Sequence, residues 1–412
     1  MSEGTQRYDL LDRIAAGGMG EVFVGRARGE HGFQKPVAIK RILPELAQNP
    51  EFVVRFVAEA KLAVSLSHAN VVQVFDLGRV GDELLLVMEY VRGSDLAQLL
   101  ARLMARGERP PVNVAVYIAM EALKGLVYAH ERRELDGRVG IVHCDLSPSN
   151  LLLSFAGEVK IGDFGVAQAL DVPRRKGASG GVMGKIRYLA PEQLVGDAVD
   201  ARTDLYALGV VLHEALTLVR PFGENGDLDA IATAVVRGAH PAVSHFRPDV
   251  PPELDRLVGQ AMSPAPSQRP PSARAMLAEL ARIAQRVDSI TPPDVGGWAR
   301  AVIEGPTAAA PSRRRTASMS AVLEDPLVGK ATASYVVREH VDGVTVLEPA
   351  RAVEPPSRRG AIVTGLALGA TLFVGVPVAR HLFRRAPLAT PPPAVAARAP
   401  AAPAAAAPAA AA

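Results

Sequence analysis

The chain has 412 residues, 49% hydrophobic and 22% charged, with a formal net charge of +3. So small an excess gives no polyanion-binding footprint despite a pI near 9.0, and no nucleic-acid partner is expected. The single cysteine, Cys144, excludes an intrachain disulfide framework and a multi-cysteine metal site, which fits a reducing compartment.

From Tyr8 to about Tyr90 the apolar residues fall in short β-rich runs, Val22-Phe23-Val24, Val37-Ala38-Ile39 and Leu84 to Met88, separated by turn residues. Between the last two, Phe52, Phe56, Ala60 and Ala63 recur at helical spacing from Glu51 to Leu66. After Arg92 the pattern is helical, with apolar stripes over Val114 to His130, Thr203 to Leu218, Leu254 to Met262 and Ser272 to Ala284. The expected class is α+β, with a small β-rich lobe over about 8–88 and a larger helical lobe over about 92–286. Prolines and short polar clusters then break the periodicity, so 287–360 reads as a flexible cytoplasmic linker. No basic, apolar leader opens the sequence, and a cleaved signal peptide is not expected.

The chemistry is carried by separated clusters. Ile14-Ala15-Ala16-Gly17-Gly18-Met19-Gly20-Glu21-Val22 lies between two strand-like runs, where glycines let backbone N–H groups approach phosphate oxygens; a plain turn reads equally well from this run alone. Lys40 ends the run Val37-Ala38-Ile39, where an ammonium needs an anion, and Glu59 on the following helix is a candidate partner. His143 to Asn150 and Asp163-Phe164-Gly165 then supply two carboxylates and an amide. Such groups orient a hydroxyl and hold Mg²⁺ in phosphoryl transfer, a reaction that is mainly positioning and charge neutralisation.

With Ala190-Pro191-Glu192 these clusters, in this order, resemble the protein-kinase family, in particular the bacterial serine/threonine kinases whose glycine loops read G-G-M-G. The resemblance runs from about Tyr8 to Ala284. It implies a bilobal protein kinase fold over 8–286 and an ATP- and Mg²⁺-dependent transfer of phosphate to serine or threonine hydroxyls of proteins. Carried over residue by residue, it makes Asp145 the catalytic base, Asn150 and Asp163 the metal ligands, and Lys40, paired with Glu59, the holder of the α- and β-phosphates. Residues Ile14 to Val22 would cover the phosphates, Val22 and Ala38 the adenine. Met88 would be the gatekeeper, Glu89 and Val91 the hinge contacts, and Asp95 the ribose ligand. Asp204 resembles the family's scaffold-helix aspartate, and Arg269 would pair with Glu192.

Four positions depart from the family pattern. Ala15 replaces the first loop glycine, and Cys144 replaces the arginine before the catalytic aspartate. The latter removes a guanidinium that would clamp a phosphorylated activation segment, so control by such phosphorylation is not expected. Ser147 stands where these kinases carry a lysine, while Lys185 stands where they often carry threonine. An exchange follows, in which Lys185 brings the ammonium to Asp145 with Ser147 near one or the other; a merely solvated Lys185 is the plainer reading. The rival function is a catalytically silent, nucleotide-binding scaffold at the membrane.

Residues 361–379 carry no charge, and their 19 residues span about 28 Å as a helix, enough for a bilayer core. A transmembrane helix is expected there, single-pass in the cell inner membrane, with the kinase domain cytoplasmic. Gly365 and Gly369 would allow homodimer packing. Residues 380–412 form an Ala/Pro-rich tail. Thr316 and Ser318, after Arg313-Arg314-Arg315, are expected autophosphorylation sites.

Overall fold

In the computed structural model the described residues are 7–80, 83–133, 140–164, 185–223, 228–305, 333–341 and 344–349, all within one compact unit, 1–351. Strands β1 (Arg7–Ala16), β2 (Gly20–Arg28), β3 (Gln34–Ile42), β4 (Val74–Val80) and β5 (Glu83–Glu89) pair antiparallel in the order β1-β2-β3-β5-β4. Strand alternation sends Val37 and Ile39 to one face of β3, and Ala38 and Lys40 to the other.

Helix α1 (Pro50–Ser65) connects β3 to β4. Asn49 caps it by accepting the N–H groups of Glu51 and Phe52, at 3.0 and 3.3 Å, and Pro50 occupies the first turn. The expected stripe of Phe52, Phe56, Ala60 and Ala63 is buried against Ile42, Val74, Leu77, Leu84 and Leu86. The opposite sheet face gathers a separate core of Tyr8, Leu10, Phe23, Val37, Ile39, Leu85 and Val87. Strand β4 was not foreseen, because Asp76, Gly78 and Arg79 interrupt its apolar pattern.

The second lobe opens with β6 (Gly93–Asp95) and α2 (Leu96–Arg106). Its core helix α3 (Val112–Glu131) is followed by β7 (Leu151–Ser154) and β8 (Val159–Ile161), which pair with β6 in a small sheet of order β6-β7-β8. Helices α4 (Ala201–Thr217), α5 (Leu228–Arg237), α6 (Pro252–Ala261) and α7 (Ala273–Ala284) complete the helical layer. Among the described residues α3 alone is long and apolar enough to cross a membrane. Leu123, Leu126 and Ala129 are fully buried in the lobe core, and packing accounts for that apolarity.

The expectation of a flexible linker over 287–360 needs correction. Helix α8 (Pro292–Glu304) packs on the second lobe: Val295 and Ala299 are fully buried, Arg102 donates to Ile303 O at 2.8 Å, and Arg106 donates to Val302 O and Gly305 O at 2.6 and 2.9 Å. Strands β9 (Ala333–Val341) and β10 (Val344–Pro349) return to the first lobe and close its sheet into a barrel, β1-β2-β3-β5-β4-β10-β9. Local prolines and the lack of a long apolar period hid these elements, whose partners lie some 200 to 330 residues earlier in the chain. The expected membrane helix 361–379, the tail 380–412, and Thr316 and Ser318 lie outside the described residues.

Candidate active site

The turn between β1 and β2 is closed by Gly17 N–H to Gly20 O at 2.8 Å and Gly20 N–H to Gly17 O at 3.3 Å. The two glycine types differ. A Cβ on Gly20 would lie 2.2 Å from Arg41 O, so this glycine is required by the fold, whereas a Cβ on Gly17 or Gly18 would meet nothing within 4 Å. Internal packing therefore does not explain Gly17 and Gly18, which leave open space where a phosphate would approach.

Beneath this turn, Lys40 sits opposite Val22 in the β2–β3 register and is 7% exposed. Its ammonium meets Asp163 Oδ1 at 2.9 Å. Burial disfavours the Asp163 charge, but Lys40, then Lys185 and His143, outweigh it and hold the carboxyl below the usual range. The backbone of Asp163 is left-handed, φ 55°, and Gly162 N–H donates to Asn150 O at 2.8 Å. Glu59 lies on α1, with its side chain outside the described residues.

The segment carrying Asp145 is held from below. Asp204, fully buried at the start of α4, accepts the backbone N–H groups of His143 and Cys144, each at 2.8 Å, and contacts His130 Nε2 at 2.7 Å. These bonds stabilise the left-handed φ of 62° at Cys144, which is costly for a residue other than glycine. His143, also fully buried, bonds Gly162 O at 2.9 Å and packs edge-on against Phe164. Asn150 donates to Asp145 O at 2.7 Å and to Asp145 Oδ2 at 3.2 Å. Its amide oxygen is thereby turned away from Asp145.

Lys185 Nζ donates to Asp145 Oδ2 and forms an ion pair with it. The other half of the expected exchange looks different: Ser147 is 2% exposed and its hydroxyl bonds that of Ser149 at 3.0 Å, not Asp145 or Lys185. Its extended backbone, φ −159°, directs it there.

On the side expected to take the base and sugar, Ala38 pairs with Met88 across β3 and β5, and Met88 lines a narrow cavity with Ala63, Leu66, Val74 and Phe164. Val22 and Val91 are half-buried. Glu89 N–H donates to Gln73 O at 2.8 Å. Asp95 caps α2 by accepting Gln98 N–H at 2.8 Å; burial raises its pKa, partly offset by the Gln98 bonds.

Several contributors were not assigned from sequence. Lys160, 7% exposed, joins Glu89 Oε1 at 2.9 Å and Ala69 O at 3.0 Å, tying β8 to the segment between the lobes. Gln193 donates to Cys144 O at 2.8 Å. Tyr188 donates to Glu214 Oε2 at 2.5 Å, and burial followed by that carboxylate raises its pKa. Only Lys160 left a trace in the sequence, as a charge inside the apolar run Val159 to Ile161. The Glu192–Arg269 pair foreseen from the resemblance is bidentate, 2.7 and 2.8 Å, and buried, with Thr203 donating to Glu192 Oε1.

Residues 8–280 match the protein kinase domain, and the chain belongs to that family. Among curated proteins it is 42% identical over 271 residues to the tyrosine-protein kinase MasK of Myxococcus xanthus, covering 65% of this chain and 41% of MasK. It is 36% identical over 279 residues to a probable serine/threonine-protein kinase of Clostridium perfringens, covering 67% of this chain and 38% of that one. The serine/threonine-protein kinase PknB of Mycobacterium leprae is 35% identical, with 68% of this chain and 43% of PknB covered. The chain thus spans about two fifths of the length of these relatives. Among solved structures, the kinase domain of Mycobacterium tuberculosis PknI superposes with TM-score 0.52 at 28% identity, covering 68% of this chain and 96% of that domain. The bilobal kinase fold expected from the sequence is the fold observed.

Proposed function

We propose that this chain is a protein kinase that transfers the γ-phosphoryl group of ATP to serine or threonine hydroxyls of proteins. The observation that carries the reading is the convergence of Lys40 on Asp163, and of Asn150 and Lys185 on Asp145, below an open glycine turn. Asp163 and the amide oxygen of Asn150 are hard oxygen donors of the kind Mg²⁺ takes, and the low pKa of Asp163 keeps it ionised at neutral pH. They would hold the metal, which when bound supplies charge neutralisation on the phosphates. Lys40 would bind the α- and β-phosphates, oriented by Glu59, while Asp145 accepts the proton of the acceptor hydroxyl. Lys185 would add positive charge beside Asp145, where negative charge gathers in the transition state. Ser147 would shape the loop through Ser149.

Full-length chain incubated with radiolabelled ATP, Mg²⁺ and a generic protein substrate should transfer label, and Asp145→Asn should abolish transfer. No label transfer by the wild-type chain, indistinguishable from Asp145→Asn, would leave only the silent-scaffold reading. A second acceptor class, tyrosine, is favoured by the name of the 42% identical relative MasK and by the missing lysine at Ser147. Phosphoamino-acid analysis of the labelled substrate decides between the two.

Three finer points belong to this reading. Activation without phosphorylation of the 163–192 segment is supported by Cys144 and by Tyr188, whose hydroxyl is engaged with Glu214; Ser179 lies outside the described residues. Ser179→Ala should keep full activity. Anchoring through 361–379 rests on the uncharged stretch and predicts membrane fractionation that is lost when 361–379 is deleted. Autophosphorylation at Thr316 or Ser318 is checked by phosphopeptide mapping of active enzyme.

A further inference from the structure

The first lobe's five strands leave two open edges, β1 and β4, and an apolar face turned away from α1. An open edge of unpaired N–H and C=O groups is a template for another strand. Here β9 takes the β1 edge, antiparallel from Arg7↔Val336 to Leu10↔Ala333, and β10 takes the β4 edge, parallel at Gly78 and Arg79. Tyr335 and Leu347, 7% and 2% exposed, fill the core made by Tyr8, Phe23, Ile39 and Val87. Asp76 accepts the hydroxyl of Tyr8 at 3.0 Å and that of Thr345, so one carboxylate joins β1, β4 and β10. Gly78 marks the seat of Leu347: a Cβ there would lie 2.4 Å from Leu347 Cδ1, its nearest neighbour.

Alternation along β3 places this core on the face opposite Ala38 and Lys40, so the added strands leave the nucleotide side of the sheet uncovered. They do bear on it mechanically. Residues 7–10 of β1 are clamped between β2 and β9, and the same strand runs on into the glycine turn. We propose that Ala333–Pro349 is a built-in closure of the first lobe whose docking steadies the glycine turn and thereby sets nucleotide affinity; the last step rests on the ATP reading above. The functional kinase unit then ends near residue 349, not at 280.

The test uses the full chain. Gly78→Val places a side chain where Leu347 sits, Leu347→Ala empties that seat, and the double variant refills it. Each single variant should speed amide exchange at residues 7–10 and 78–79, lower Tm, and weaken binding of a fluorescent ATP analogue about threefold or more, with exchange in α3 and α4 unchanged. The double variant should recover toward wild type beyond additivity. Wild-type exchange and Tm in both single variants, or no recovery in the double, would overturn the docking. Altered exchange with unchanged analogue affinity would overturn the coupling. Arg7→Cys with Val336→Cys, Cα partners across β1 and β9, should form an intrachain link on oxidation with nucleotide affinity retained; links formed only between chains would overturn the intrachain closure. Exchange and cross-linking need no turnover. A wild-type chain that binds no analogue therefore refutes the nucleotide reading separately from the docking.

Discussion

Replacing Lys185 by alanine removes the ammonium from Asp145 while leaving the bonds of Asn150 to Asp145 in place. The ground-state effect should be small, because the Lys185 side chain is 38% exposed and an ion pair so open to solvent contributes about 0–1 kcal/mol to stability. The transition state is another matter, since charge develops there against a preorganised cation. Loss of one such donor costs about 10²–10³ in kcat, and the partial exposure of Lys185 places the expected loss near the lower figure, about 10². KM for ATP should stay within about twofold, because Lys40 and Asp163 are untouched. Lys185→Arg keeps the charge and should lose far less. Steady-state phosphorylation of a protein substrate, with Tm recorded for each variant, gives all three quantities. A Lys185→Ala enzyme with unchanged kcat, or one with raised KM for ATP and normal kcat, would refute the role.

Lys40→Met should cut kcat/KM by orders of magnitude with a folded, cooperative thermal transition retained; near-normal turnover counts against its assignment. Arg269→Ala strands Glu192 in the second lobe and should destabilise it by about 3–5 kcal/mol in denaturant titration. A loss below about 1 kcal/mol would mean that water replaces the pair. Acid should act through Asp163 and Glu192. In both, burial raises the pKa and is outweighed, by Lys40 in one and by the Arg269 and Thr203 bonds in the other, so both are depressed on folding. Their stabilisation is fully present above the unfolded values of about 4 and is lost as pH falls through the lower folded values. Thermal melts from pH 7 to 3 should decline below about pH 4.5, with a shallower decline in Arg269→Met than in wild type.

The sequence determined the local chemistry and the lobes it sits on. The short β-rich runs of the first 90 residues, set off by turn residues, and the helical stripes after Arg92 became the two lobes, because run length, β-rich composition and helical periodicity set which elements form and which faces they bury. The order of the glycine turn, Lys40, His143 to Asn150, Asp163 and Glu192 identified the family, since each cluster is contiguous in the chain. Lys185 could be singled out as a replacement for a missing charge, yet its meeting with Asp145 required the fold to bring residues 40 apart together.

What only the tertiary structure decided are contacts whose partners are distant and whose local patterns are weak. Ser147 turns to Ser149 because its extended backbone aims it there, a choice invisible in residue type. Asp204 could be matched to a scaffold position, but its two bonds to the backbone of His143 and Cys144 exist only once α4 docks beneath that segment. The strands Ala333–Val341 and Val344–Pro349 look like linker in isolation. Their apolar residues, Tyr335 and Leu347, have no core of their own to bury them, and they become strands because the open β1 and β4 edges and the face around Gly78 supply one.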